Sequence, residues 1–401
     1  MLDNDLMLHR PSLAALQVAI ENNFDFLSPE YAKLFAASDA TAFQHPRWLD
    51  GLYKRLVPAN NAAPLIVTVR ESVAGALVMV LPLVRRRYGM LKVVEFADLR
   101  VSDYAAIVSD SRRLAEMLAD GSLLKTLRAA VAPYDLLRIG KMQDGGPPLH
   151  RLFGGGEPTR MPTNAYAVPL EASFEAWRTA HLNASYAKEL NKKSRQLARK
   201  GDLKFARVTD ADLVMRTFEA LKIFRRDRFE VTTGGELLQL PAYFDFYSEI
   251  GRQTDFARTY LMTLDGQPIA GALGLMHSKQ LAVVLGGFTQ TEHKNQSVGS
   301  LMFEAIARDC IAEGFSVLDF TIGDEPYKMT FGAKPSPIWQ MSRAGSPLGY
   351  GAAVLVDRMP RVRAIARTLV HRGGEARRPL TRVAAVPAGE ADPEQPVGAR
   401  S

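Results

Sequence analysis

Between Tyr260 and Lys334 the chain reads as apolar strands, a polar loop, a helix and a further strand, and the joint between loop and helix most narrows the folds open to it. The strand over Gln280–Phe288 ends on Gly286-Gly287-Phe288. After a polar stretch, Lys294-Asn295-Gln296-Ser297-Val298-Gly299-Ser300 opens directly into a helical pattern with Met302, Phe303, Ile306 and Cys310 on its apolar side. A helix start leaves backbone N–H groups unpaired and carries a partial positive charge, so it binds phosphate-like anions. Gly299 and Ser300 let an anionic group approach the backbone, and Lys294 adds charge. Paired glycines at a strand end suit a bulge or a splayed edge where a ligand can bond exposed backbone. The plainer reading is an ordinary strand–turn–helix with Ser300 as N-cap.

A second cluster follows. Asp319-Phe320-Thr321-Ile322-Gly323-Asp324-Glu325-Pro326-Tyr327-Lys328 sets carboxylates, a tyrosine and a lysine just behind a buried strand. Those residue types can move protons together. They also suit a solvated loop with a salt bridge.

The 401 residues, 47% of them hydrophobic, are enough for two or three domains, each with its own core. Residues 1–42 read as a helical lead-in broken at Pro11 and Pro29. Leu65–Arg70 and Gly75–Arg85 read as an antiparallel hairpin. Val93–Phe96, Ala105–Val108 and Leu136–Ile139 are strands, and Arg112–Val131 a helix. The Gly/Pro-dense stretch Gly145–Pro162 separates a first unit, 43–160, from a second, 161–345. In the second, a basic helix Ala184–Lys200 ends at Gly201 as C-cap. Helices Asp210–Phe229 and Gly235–Ile250 and three strands follow, with Asp265-Gly266 as a tight turn. Residues 346–372 form an amphipathic basic helix, and 373–401 a Pro/Gly/Ala/Glu-rich disordered tail. The two units have similar size and element order. The fold class is thus α/β (α+β), with mixed, mostly antiparallel sheets flanked by helices.

Exclusions are equally informative. The net charge is +7, and 351–401 alone carries nine Lys or Arg against five Asp or Glu, so the body is only mildly basic. That suits phosphate-bearing small molecules better than a dedicated nucleic-acid surface. Histidines are scattered, no His or Cys pair has metal-ligand spacing, and no metal is expected. Neither a Gly-x-Ser-x-Gly elbow nor a phosphate-loop motif occurs. The single cysteine, Cys310, reads as a small buried hydrophobe in a reducing setting. No apolar run reaches the length of a spanning helix, and the first residues lack a signal-peptide pattern. The expected location is cytoplasmic, or peripheral to the inner face of the membrane through the C-terminal helix.

Two basic clusters remain. Lys188, Lys192, Arg195 and Arg199 make one stripe that could meet an anionic substrate or simply face water. Arg225, at the end of the next helix, could bind substrate or complement the helix dipole.

The Gly-ended strand, Gln296-x-x-Gly299 before a helix, and Asp319-Phe-x-x-Gly-x-x-x-Tyr327-Lys328 resemble the GNAT acyltransferase superfamily. More closely, they resemble its CelD/BcsL-like branch, associated with cellulose and exopolysaccharide biosynthesis and related to the tandem-domain FemABX-type transferases. Phe43-x-His45-Pro46-x-Trp48-Leu49 and the basic helix ending Leu197-Ala-Arg-Lys-Gly201 share in the likeness, which spans 42–345. One departure stands in the cofactor loop, where Leu301 replaces a small residue.

The resemblance implies tandem GNAT-like domains, the first degenerate and the second holding acetyl-CoA or another acyl-CoA. Its pyrophosphate would lie on Lys294, Gln296, Ser297, Val298, Gly299 and Ser300, and its pantetheine arm along Gly286, Gly287 and Phe288. Asp319 or Asp324 would be the base and Tyr327 the acid, with Lys328 beside them. Lys188, Lys192, Arg195 and Arg225 would meet a small-molecule or saccharide-type acceptor. Rival expectations are an aminoacyl-tRNA-dependent aminoacyltransferase and a non-catalytic scaffold for a membrane polysaccharide synthase.

Overall fold

The computed structural model describes residues 16–71, 75–144, 149–154, 157–229, 236–289, 293 and 295–358. Thirteen strands form one continuous sheet among them: β1 Gln17–Glu21, β2 Ala63–Arg70, β3 Leu77–Tyr88, β4 Leu91–Phe96, β5 Val108–Ser109, β6 Leu136–Gln143, β7 Thr159–Pro169, β8 Leu203–Val208, β9 Ala257–Leu264, β10 Gln267–His277, β11 Gln280–Phe288, β12 Val317–Ile322 and β13 Lys334–Ala344. Their order is β1-β2-β3-β4-β6-β13-β7-β12-β11-β10-β9-β8, with β5 on β3.

The order contains the same pattern twice. β1 to β4 form an antiparallel meander, and helices then return the chain to β6, parallel to β4. β8 to β11 form the second meander, and the helix Val298–Ala312 returns the chain to β12, parallel to β11. The next strand of each unit then crosses over. β7, which follows β6, pairs with β12, whereas β13, which follows β12, pairs with β6. β13 and β7 pair with each other and close the seam. The expected boundary near residue 160 therefore falls at the start of β7, and the pairing of β6 with β13 crosses it.

Three hydrophobic clusters cover the sheet. On one face, the helices Pro46–Gly51, Ala211–Phe229 and Pro241–Gly251, drawn from both units, share a core around Trp48, Phe218, Phe246 and Tyr104. Trp48 is fully buried, sits edge-on to Phe246 and donates from Nε1 to Ser102 Oγ at 2.9 Å. On the opposite face each unit keeps its own core. In the first, Ser111–Ala119 and Gly121–Val131 pack over Leu65, Val67 and Val69. In the second, Phe174–His181, Ala184–Ala198 and Val298–Ala312 pack over Tyr260 and Met262.

Several expectations change. Gln17–Glu21, read as part of a helical lead-in, is an edge strand whose Val18 and Ile20 alternate inward. Arg112–Val131 is two helices, because Asp120 ends the first and its carboxylate caps the second. The basic helix stops at Ala198 with Arg199 as C-cap, and Gly201 instead leaves room for the Asp265 carboxylate. The C-terminal helix is described only as Pro347–Arg358, so the rest of the predicted 346–372 helix and the 373–401 tail lie outside the described residues. No helix among the described residues is long and apolar enough to cross a membrane.

Because β13 is bonded on one side to β6 and on the other to β7, neither unit can complete its sheet alone. Residues 16–169, holding β1 to β7, and 170–358, holding β8 to β13, expressed separately, are expected to give no cooperative thermal transition by circular dichroism, while the whole chain does. Two fragments that each melt cooperatively would overturn this.

Candidate active site

β11 and β12 pair only from Gln280↔Val317 to Ala282↔Asp319 and then part. Their divergence coincides with a break in the β12–β7 ladder between Asp319 and Ile322, where Thr321 takes a left-handed φ of 58°. A β-branched residue is strained there and needs support from its surroundings. The support is visible. The Thr321 N–H donates to Asp319 Oδ1 at 2.7 Å, and the Thr321 carbonyl accepts from Lys328 Nζ at 3.2 Å.

The parted strands open a cavity of about 340 Å³, bordered by Gly286, Ser297, Gly299, Ser300, Tyr327 and, from the first unit, Asp103. Gly287, Phe288, Arg225 and Lys328 also line it. The helix Val298–Ala312 starts at this cavity. Its N-cap is Ser297 rather than Ser300, held at φ 52°, and no side chain among the described residues caps the end. The first N–H groups of a helix have no partner inside it, so this end is open to an anion. The corresponding helix of the first unit, Ser111–Ala119, is closed by the Asp110 carboxylate, which accepts from the N–H groups of Arg112 and Arg113. The start of that helix is thus already occupied by a carboxylate of its own chain.

The remaining residues of the cofactor loop divide. Val298 is buried in the core. Gln296 is half-buried and does not line the cavity. Lys294 lies outside the described residues. Leu301 turns into the core beside Met302, away from the cavity, so its bulk does not crowd the helix end. The missing side chain of Gly299 makes room for Phe288, whose ring would lie 2.5 Å from a Cβ there. Gly287 is likewise packed under Leu221 and Arg225.

The proton-transfer cluster is rearranged. Asp324 is not among the residues lining the cavity. Its Oδ1 accepts from the Asn164 side-chain amide and the Tyr166 hydroxyl, each at 2.9 Å, and these bonds hold its carboxyl below the ordinary range. Asp319 does not line this cavity; it lines a separate one, and its Oδ1 also accepts from the Tyr104 hydroxyl at 3.0 Å. Its visible work is to fix the strand end. Tyr327 does border the cavity, stacked on Phe303 at 4.8 Å. Lys328 is only 2% exposed and pairs with Glu325 at 3.0 Å.

Two carboxylates line the cavity: Glu325, which is paired with Lys328, and Asp103, which sequence reasoning missed. Asp103 sits on a loop with left-handed backbone at Leu99 and Arg100, tied down by Trp48 to Ser102, by Lys141 Nζ to the Ser102 carbonyl at 2.7 Å and by Gln44 to the Tyr104 carbonyl at 3.0 Å. Burial holds the Asp103 carboxyl above its ordinary value, against the pull of Lys141, the Thr321 hydroxyl and Lys328. Nothing local marks Asp103, because its neighbours in the site lie more than a hundred residues away.

Of the basic residues, Arg225 reaches the cavity but is matched: Nε and Nη2 meet the Glu236 carboxylate at 2.7 and 3.2 Å, and Nη1 donates to the Gly286 carbonyl at 3.0 Å. Lys188, Lys192 and Arg195 face solvent and do not line the cavity. Burial pushes the Cys310 thiol up to about 12, which suits an inert core residue.

Burial raises the Asp319 carboxyl from 3.8 to about 6. The folded state thus binds this proton more tightly than the unfolded one, and the contribution to stability falls as pH rises from about 4 to about 6, by roughly 3 kcal/mol in all. Asp319→Asn keeps an oxygen for Tyr104 and Thr321 and removes the buried charge. Its melting temperature is expected to exceed the parent's at pH 8 and to converge with it near pH 4. A variant less stable than the parent at pH 8 would refute this.

Comparison with known proteins agrees with the geometry. Residues 184–329 match the family described as acetyltransferase (GNAT) domain. No curated protein matches the sequence. Among solved structures, FemX shares 13% identity at a TM-score of 0.55, covering 80% of this chain and 96% of that one. A conserved protein of unknown function from Bacteroides thetaiotaomicron shares 8% identity at 0.53, covering 81% and 99%. L-PGS from Bacillus licheniformis shares 12% identity at 0.50, covering 86% and 96%. These likenesses establish a shared fold across both units. Within it, residues 184–329 are the part that is similar to GNAT-type acetyltransferase domains.

Proposed function

We propose that this chain moves an acetyl or other acyl group from acyl-CoA to an amine or hydroxyl of a saccharide-related acceptor by direct attack. The observation that carries the reading is the parting of β11 and β12 over an uncapped helix end. Acyl-CoA would supply the activated thioester, and its diphosphate suits the N–H groups at the start of the Val298 helix. The splayed edge at Gly286–Phe288 orients an extended chain. Asp103, with its raised affinity for protons, accepts the nucleophile's proton, and Tyr327 holds at its hydroxyl the proton that the leaving group takes. Lys328 keeps Thr321, and with it the opening, in place. The saccharide-related acceptor, a role in exopolysaccharide or cellulose biosynthesis and a cytoplasmic setting rest on the CelD/BcsL-like sequence resemblance.

A second reading, aminoacyl transfer from a charged tRNA, is favoured by the solvent-facing stripe of Lys188, Lys192, Arg195 and Arg199. The fold shared with FemX and L-PGS allows it. Binding of charged tRNA that weakens by about a hundredfold or more between 50 and 200 mM salt would select it over the first reading.

Isothermal titration with acetyl-CoA is expected to show binding that Gly299→Glu abolishes, since a side chain there displaces Phe288 and sets a negative charge at the helix end. Folded protein with no binding at millimolar donor would refute the reading. Asp103→Asn is expected to lower kcat by about 10²–10⁴ while leaving donor affinity unchanged. Unchanged kcat would remove Asp103 from the mechanism.

A further inference from the structure

Apart from the cleft lies a second cavity of about 290 Å³ that the proposed transfer does not use. Its polar lining includes Ser38, Asp39, Thr41, Gln143, His277 and Asp319, with Phe43, Leu275 and Ala282 as apolar surface. It shares no lining residue with the cleft. The wall between them is the Tyr104–Asp319 pair, whose chain neighbours Asp103 and Thr321 face the cleft.

We propose that this cavity is a binding site for a small polyhydroxylated primary amine, of the amino-sugar class, with its ammonium on Asp319. Three observations converge on that chemistry. First, no Lys or Arg lines the cavity among the described residues, while two carboxylates do, so a phosphate or carboxylate ligand is disfavoured. Second, Asp319 is only 6% exposed and takes both of its hydrogen bonds on Oδ1. Its Oδ2 has no hydrogen-bond donor among the described residues. That oxygen is open to the cavity rather than enclosed by protein, and an ammonium there supplies a charge-assisted bond. Third, the hydroxyls of Ser38 and Thr41 and the Gln143 amide offer neutral partners to hydroxyl groups, in a volume near the lower end of small-molecule sites. A bare metal ion fits less well, because no group of three or more His, Cys, Asp or Glu side chains gathers to hold one among the described residues.

The position of the site gives it a route to the cleft. Asp319 Oδ1 holds the N–H of Thr321, whose carbonyl holds Lys328. An occupant that draws on the Asp319 carboxylate therefore acts on the residue that keeps β12 apart from β11.

The test is calorimetry on the full chain with glucosamine, glucose and glucosamine 6-phosphate as probes, in the presence of free CoA so that no transfer takes place. Glucosamine is expected to bind about tenfold or more tighter than either other probe, the worth of one charge-assisted hydrogen bond. Asp319→Asn is expected to erase that preference, and Asp39→Asn, at the exposed rim, to weaken glucosamine severalfold in a protein whose melting curve confirms folding. CoA is expected not to displace it. Equal binding of glucose, an unchanged preference in folded Asp319→Asn, displacement by CoA, or no binding at millimolar glucosamine would each overturn the proposal. None of these outcomes depends on whether acyl-CoA proves to be the donor.

Discussion

The hydrogen bonds along both edges of β13 are the constraint on which the rest of this structure depends. They join β6 of the first unit to β7 beside the second, and so turn two half-sheets into one. With the units locked in this register, a loop of the first unit can reach the cleft of the second. Asp103 arrives there from a backbone with two consecutive left-handed residues, a conformation kept only because Trp48, Gln44 and Lys141 hold the loop. Strain in the loop and rigidity in the sheet are thus linked. The carboxylate is placed by contacts made far from it.

The two units differ most at their helix starts. Asp110 fills the N–H groups of one helix with a carboxylate of its own chain, while Ser297 leaves the other open. A single side chain at a cap position decides which of two similar layouts can receive an external anion. The Gln296-x-x-Gly299 spacing lies at the open end, and the missing side chain of Gly299 makes room there for the Phe288 ring.

Local pattern made much of the fold legible. The Leu65–Arg70 hairpin, the three strands from Phe256 to Phe288 and the turn at Asp265-Gly266 all fall where alternation and turn residues place them, and both turn residues have positive φ. β13 was not legible, and Pro335 and Pro337 explain why, since proline normally argues against a central strand. Their spacing of two puts both missing N–H groups on one edge of the strand. The ladder with β6 begins only at Ile338, so the prolines lie where β13 pairs with β7 alone. The choice of carboxylate was hidden for a different reason. Asp319, Asp324 and Asp103 are alike as residue types; the path of β12 past its bulge sets the first against Tyr104 and the second on Asn164 and Tyr166, while a distant loop brings the third to the cleft.

The crossing of β7 and β13 also bears on how such a chain could arise. A single unit with this connectivity would carry a final strand with no place in its own sheet. It would find that place only in a second copy, as a strand-swapped pair. Joining two copies in one chain makes the encounter intramolecular and independent of concentration. Once joined, the copies no longer need to be equivalent, and one is free to surrender its anion site to Asp110 while lending Asp103 to the other.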